Sequence, residues 1–108
     1  MQQLKAEQLK QKMQNGEDFV LDLFATWCGP CKAIKPYFEQ LSTEYQEHYI
    51  FAHFDVEESP DISEIFQIHA MPTFIILKES EVIDKMSGAK KDSLKQLLDS
   101  HKNDLTSF

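Results

Sequence analysis

The stretch that most restricts the fold is Phe19-Val20-Leu21-Asp22-Leu23-Phe24. Its apolar residues run almost without interruption instead of alternating with polar ones. That pattern marks a strand buried on both faces, which needs apolar cover above and below it. The cover is written on either side. Leu4, Leu9 and Met13 stand among lysines and glutamines, an amphipathic helix that Asn15-Gly16 should end as a C-cap. Beyond the strand, a second helix opens at Cys28, with Pro30 in its first turn, where a missing N–H costs nothing. Ile34, Tyr37, Phe38, Leu41 and Tyr45 supply its stripe, and Pro36 is expected to kink it.

The pattern continues in the same alternation. Tyr49 to Val56 reads as another buried strand, and Ser59-Pro60-Asp61 as an N-cap and first turn leading a short helix through Ile62, Ile65 and Phe66. Thr73 to Leu77 is a strand, and Val82 to Ser87 its hairpin partner. Glu79-Ser80 stands where a tight turn would carry Asn-Gly, so a longer, looser loop is expected. Leu94, Leu97, Leu98 and Leu105 stripe a C-terminal helix after Gly88. Strands joined by helical crossovers must run parallel, and a late hairpin adds an antiparallel edge. The expectation is an α/β fold, a mixed sheet flanked by helices, in a single domain over residues 1–108.

Several classes of function drop out on charge and composition. The net charge is −7, and all eleven basic residues are lysines. A nucleic-acid site concentrates basic residues and favours the guanidinium fork, so none is expected here. No apolar run is long enough to span a bilayer, and the N-terminus lacks the apolar core of an export signal. The reading is a cytoplasmic monomer that binds neither membrane nor nucleic acid.

Ala25-Thr26-Trp27-Cys28-Gly29-Pro30-Cys31-Lys32 holds the only tryptophan and the only two cysteines. Two cysteines are too few for a disulfide scaffold, and a bridge closing so small a loop would stabilise little. A metal clip would need two more ligands, yet His48, His53, His69 and His101 are scattered. A redox pair fits better. Cys28 lies where a strand hands over to a helix N-terminus, whose N–H groups and dipole favour a thiolate. Cys31 shares its helical face within bonding reach. The expectation is a more exposed nucleophile backed by a more buried thiol, arranged for two-step thiol–disulfide exchange. Asp22, six residues earlier, reads either as the proton acceptor for Cys31 or as a strand aspartate satisfied by nearby backbone.

The ordered set Asp22, Trp27-Cys28-Gly29-Pro30-Cys31-Lys32, Pro36, Met71-Pro72-Thr73 and Gly88-Ala89 resembles the thioredoxin family along nearly the whole chain. The resemblance implies the thioredoxin fold, here with four to five strands, an N-terminal strand short or absent, and four flanking helices. It implies a general protein disulfide reductase that supports cell redox homeostasis. Cys28 would attack, Cys31 resolve through a Cys28–Cys31 disulfide, and Asp22 take the proton. Gly29, Pro30 and a cis Pro72 would shape the site. Trp27, Ala70, Met71, Gly88 and Ala89 would form the docking patch, with Trp27 serving partly as a core anchor as well. No cofactor would be bound; electrons would come from NADPH through a flavoprotein thioredoxin reductase, and disulfide-containing proteins would be the substrates. The alternative is a redox-independent binding or assembly module on the same fold.

Two further departures from the family pattern fall near the site. His53 stands where some members carry a lysine that interacts with the buried aspartate. It reads either as a group tuning Asp22 or as a neutral histidine packed in the sheet. Phe24 replaces a tryptophan common in bacterial members and so removes an indole donor.

Overall fold

The doubly buried strand is the middle of the sheet. The computed structural model describes residues 1–103. In chain order its elements are β1 (Gln2–Leu4), α1 (Ala6–Gln14), β2 (Phe19–Phe24), α2 (Gly29–Glu44), β3 (Phe51–Asp55), a 3₁₀ turn at Val56–Glu58, α3 (Pro60–Ile65), β4 (Thr73–Lys78), β5 (Glu81–Ser87) and α4 (Lys91–His101). The strands form one five-stranded sheet in the order β1-β3-β2-β4-β5. β1, β3 and β2 are parallel, and β4 and β5 are antiparallel additions.

Strand alternation divides the core. Phe19, Leu21 and Leu23 of β2 pack with Leu4, Leu9, Phe54, Ile62 and Phe66 on the face covered by α1 and α3. Val20 packs with Ile34, Phe38, Leu41, Phe74, Leu94 and Leu98 on the face covered by α2 and α4. Asp22 therefore points, like Val20, toward α2. α2 runs through Pro36 as one helix, and its far end is tied to α4, where Lys95 Nζ donates to Tyr45 Oη at 2.7 Å and Tyr45 Oη donates to Asp99.

Four local expectations are corrected. Leu4 belongs to β1, not to the first helix: it pairs with Phe54 of β3 and is fully buried. Strand β3 begins at Phe51, because Tyr49 turns its ring into the core and donates its hydroxyl to the Leu98 carbonyl. Val56 lies in the 3₁₀ turn that follows, whose cap is the Asp55 carboxylate accepting from the Glu57 N–H at 3.0 Å. Leu105 lies outside the described residues.

The hairpin turn is the fourth. Lys78 pairs with Glu81, leaving only Glu79 and Ser80 in the loop, at φ +52° and +71°. Both central residues at positive φ make the tight turn whose twist suits a hairpin, formed without the glycine it prefers. Tertiary contacts hold it. Asp18 Oδ1 accepts the Glu79 N–H at 2.9 Å, and Ser80 Oγ donates to the Met13 carbonyl. Asparagine tolerates this backbone region better than glutamate, so Glu79→Asn should raise stability by up to ~1 kcal/mol. Urea denaturation would show this as a higher midpoint at unchanged slope; a lower midpoint would mean that the Glu79 side chain contributes more than its backbone costs.

Candidate active site

Cys28 is the N-cap of α2, and the helix begins immediately at Gly29 and Pro30, both exposed. The turn leading in is closed by the Cys28 N–H donating to the Ala25 carbonyl at 3.1 Å. Thr26 Oγ1 donates to Glu57 Oε1 at 3.2 Å, tying this loop to the segment after β3. Cys28 and Cys31 are joined as a disulfide with their Cα atoms 5.3 Å apart. The Cys31 backbone N–H donates to Cys28 Sγ at 3.2 Å. The first turn of α2 carries no acidic residue, so nothing there opposes negative charge on that sulfur.

The expected contrast in exposure between the two cysteines is not found. Cys28 is 5% and Cys31 4% exposed. What separates them is direction. Cys28 Sγ lies 3.7 Å from the Met71 carbonyl oxygen, on the side of the surface loop before β4. Cys31 instead lines a cleft of ≈ 180 Å³ together with Asp22, Phe24, Ala25, Thr26, Lys32, Lys35 and His53.

The loop before β4 is tied to its neighbours by hydrogen bonds. The Met71–Pro72 peptide is cis, and Pro72 is buried. Thr73 Oγ1 donates to the Ala70 carbonyl at 2.6 Å and lies 3.1 Å from Ser87 Oγ. The Gly88 N–H donates to the Pro72 carbonyl at 2.8 Å, which brings Gly88 and the exposed Ala89 to the same edge. Gly88 sits at φ +100°, a conformation that glycine adopts without penalty. Ala70 is exposed and Met71 half-buried. Trp27 is 66% exposed, so it is not a core anchor.

Asp22 is 3% exposed, and its Oδ1 has no hydrogen-bond partner among the described residues. The reading as an aspartate satisfied by backbone does not account for that atom. Burial pushes the carboxyl up to about 7, and the Lys35 ammonium offsets part of the rise. His53 is register-paired with Asp22 on the neighbouring strand and stacks on Phe24, ring centroids 5.4 Å apart. Burial, followed by the Lys35 charge, pulls the imidazole below its ordinary value, with Glu39 opposing, which favours neutral His53 near pH 7.

Lys35 was not singled out from the sequence. It lies four residues after Cys31, on the same face of α2, and this spacing is the signal that could have found it. Among the described residues no cluster of side chains could hold a metal ion, and no helix is long and apolar enough to cross a membrane.

The family model described as Thioredoxin matches residues 1–100. A thioredoxin of Ictalurus punctatus is 44% identical over 84 residues, 77% of this chain and 78% of that protein. A thioredoxin H-type of Chlamydomonas reinhardtii is 42% identical over 94 residues, 87% and 83% of the two chains. Among solved structures, Plasmodium falciparum thioredoxin superposes with a TM-score of 0.86 at 32% identity, covering 94% of this chain and 99% of that one.

Proposed function

The chain belongs to the thioredoxin family and is a protein-disulfide oxidoreductase; from that premise we propose how its residues divide the work. Cys28 is the nucleophile. The observation that carries the assignment is its place at the N-cap of α2, with the Cys31 N–H aimed at its sulfur, an arrangement that stabilises a thiolate. The Cys28 thiolate attacks a substrate disulfide, one substrate sulfur leaves as a thiolate, and a mixed disulfide forms. Cys31 then attacks Cys28 Sγ, expelling the second substrate thiolate and closing the Cys28–Cys31 disulfide. Its thiol proton passes to Asp22, which lines the same cleft. Two electrons have moved to the substrate.

Ordinary partners of the family are disulfide-bearing proteins and a thioredoxin reductase. Here the proposed donor is NADPH through a flavoprotein thioredoxin reductase, with no cofactor bound to this chain. The reading treats residues 1–108 as one domain acting as a monomer in the reducing cytoplasm, where a dithiol can be restored after each turnover. Gly29, Pro30 and Pro72 shape the approach to Cys28. Trp27, Ala70, Met71, Gly88 and Ala89 present the docking surface, on which an extended substrate segment would lie against the Met71 backbone.

The test is NADPH oxidation coupled through a thioredoxin reductase to a protein disulfide, wild type against Cys28→Ser. Turnover lost in the variant supports the reading; a folded wild type without turnover overturns the assigned electron donor. The docking surface has its own test. Trp27→Ala should raise KM for a protein disulfide about tenfold, as for the loss of an exposed aromatic contact, and leave the rate with a small aromatic disulfide unchanged. Equal losses with both substrates would mean that Trp27 acts on the cysteines rather than on docking.

A further inference from the structure

The roles just proposed leave one buried group without a task. His53 is 7% exposed, and among the described residues nothing is hydrogen-bonded to its ring. Register-paired residues of neighbouring strands sit about 4.8 Å apart with their side chains on the same face. His53 is paired in this way with Asp22 of β2 on one side and with Gln3 of β1 on the other. Its ring is held by stacking on Phe24.

Two cavities meet at this ring. The first is the cleft that holds Asp22 and Cys31. The second is a groove lined by Met1, Gln3, Lys35, Glu39, Ser42 and Thr43, most of them exposed. Only His53 and Lys35 line both. The Lys35 ammonium offers hydrogen-bond donors and no acceptor. A neutral imidazole has one nitrogen that accepts and one that donates, so it can take a proton on one side and release one on the other.

We propose that His53 is a proton exit from Asp22, a positioning residue that passes the carboxyl proton from the cleft shared with Cys31 to the outer groove. The inference rests on Asp22 being the acceptor for Cys31. When Cys31 closes the disulfide, its proton sits on Asp22. For the carboxylate to be regenerated, that proton moves to one nitrogen of His53 while the other nitrogen loses its proton to solvent. No electrons move in this step. The charged groups near the ring are Asp22 from β2, Lys35 and Glu39 from α2, and the N-terminal amine of Met1, just before β1. The lowered basicity of His53 suits it to passing a proton on rather than keeping it.

The experiment uses the reduced full chain and a small aromatic disulfide whose two thiols are released in sequence. The first release reports attack by Cys28 and the second resolution by Cys31. At pH 6 most Asp22 already carries a proton, which must leave before the carboxylate can accept the one from Cys31, so His53→Ala and His53→Gln should slow the second release about tenfold and leave the first unchanged. That is less than the roughly hundredfold a directly acting base supplies. In His53→Ala, added imidazole should restore the second release in proportion to its concentration, whereas the wild type should not respond. A second release unchanged in both variants overturns the proposal. So does a slowed release that imidazole does not restore, since a purely structural role would behave that way. His53→Gln keeps a polar side chain of similar reach, so matching slow rates in the two variants exclude simple misfolding of one. Asp22→Asn serves as the control: if it leaves the second release untouched, the assignment of Asp22 fails rather than that of His53.

Discussion

Cys28→Ser is expected to reduce turnover to background, and Cys31→Ser to trap the substrate. A serine hydroxyl at the N-cap of α2 still accepts from the residue-31 N–H, so the helix should start as before. What it lacks is a thiolate. An alkoxide does not form at neutral pH even with the helix dipole behind it, and it makes no disulfide. Cys31→Ser leaves the attacking sulfur in place and removes the group that releases the product. Its mixed disulfide should accumulate to one equivalent and persist until an external thiol is added. Mass spectrometry after mixing with a protein disulfide reads both outcomes. A Cys28→Ser protein that forms the adduct through Cys31 would reverse the two roles. Their nearly equal burial does not forbid that; the N-cap place of Cys28 and the different directions of the two sulfurs argue against it.

Asp22→Asn should stabilise the fold strongly at alkaline pH and hardly at all in acid. The carboxyl titrates near 3.8 in the open chain and near 7 when buried. Between these values the folded state holds a proton that the unfolded state has released, so stability falls as pH rises through that window. Above pH 7 the full cost is present. With roughly three pH units between the two values, it amounts to about 4 kcal/mol as an upper bound, at about 1.4 kcal/mol per unit. The amide has no such ionisation to oppose. Urea denaturation at pH 8.5 should therefore show the variant more stable by several kcal/mol, and at pH 3.5 the two proteins should be close. The same gain at both pH values would mean that packing, not charge, separates them. The same substitution should slow resolution by Cys31 more than attack by Cys28, so the group that costs the fold its stability would be the one the chemistry uses. Such trade-offs concentrate at active sites.

The legibility of this chain varied with the range of the forces involved. Where a signal was local, the sequence was read correctly: the nearly continuous apolar run of β2, Pro30 in the first turn of α2, Pro60 opening α3 and Leu94, Leu97 and Leu98 along α4 are patterns of neighbouring residues. Where a feature depends on residues far apart in the chain, it was missed or misread. Leu4 reads both as the start of the first helix, because its neighbours are polar, and as the end of a short N-terminal strand; pairing with the edge of β3 decides for the strand. Glu79-Ser80 looked like a loose loop because the turn's support comes from Asp18 and Met13, more than sixty residues earlier. Trp27 looked partly like an anchor, and the exposed rim of the site holds it instead.

The site divides in the same way. Its reactive atoms were visible from the sequence, since a thiol pair spaced by two residues at a strand-to-helix junction needs little context to be recognised. Its electrostatics were not. The unpartnered oxygen of Asp22, the charge of Lys35 beside it and the place of His53 between two cavities arise from strands and a helix brought together from residues 22, 35 and 53. By itself the sequence determined which bonds this protein can make and break, because that is a property of side chains and short-range geometry. Only the tertiary structure decided where the protons of that chemistry can go, because burial and distance between segments set the energy of a charge.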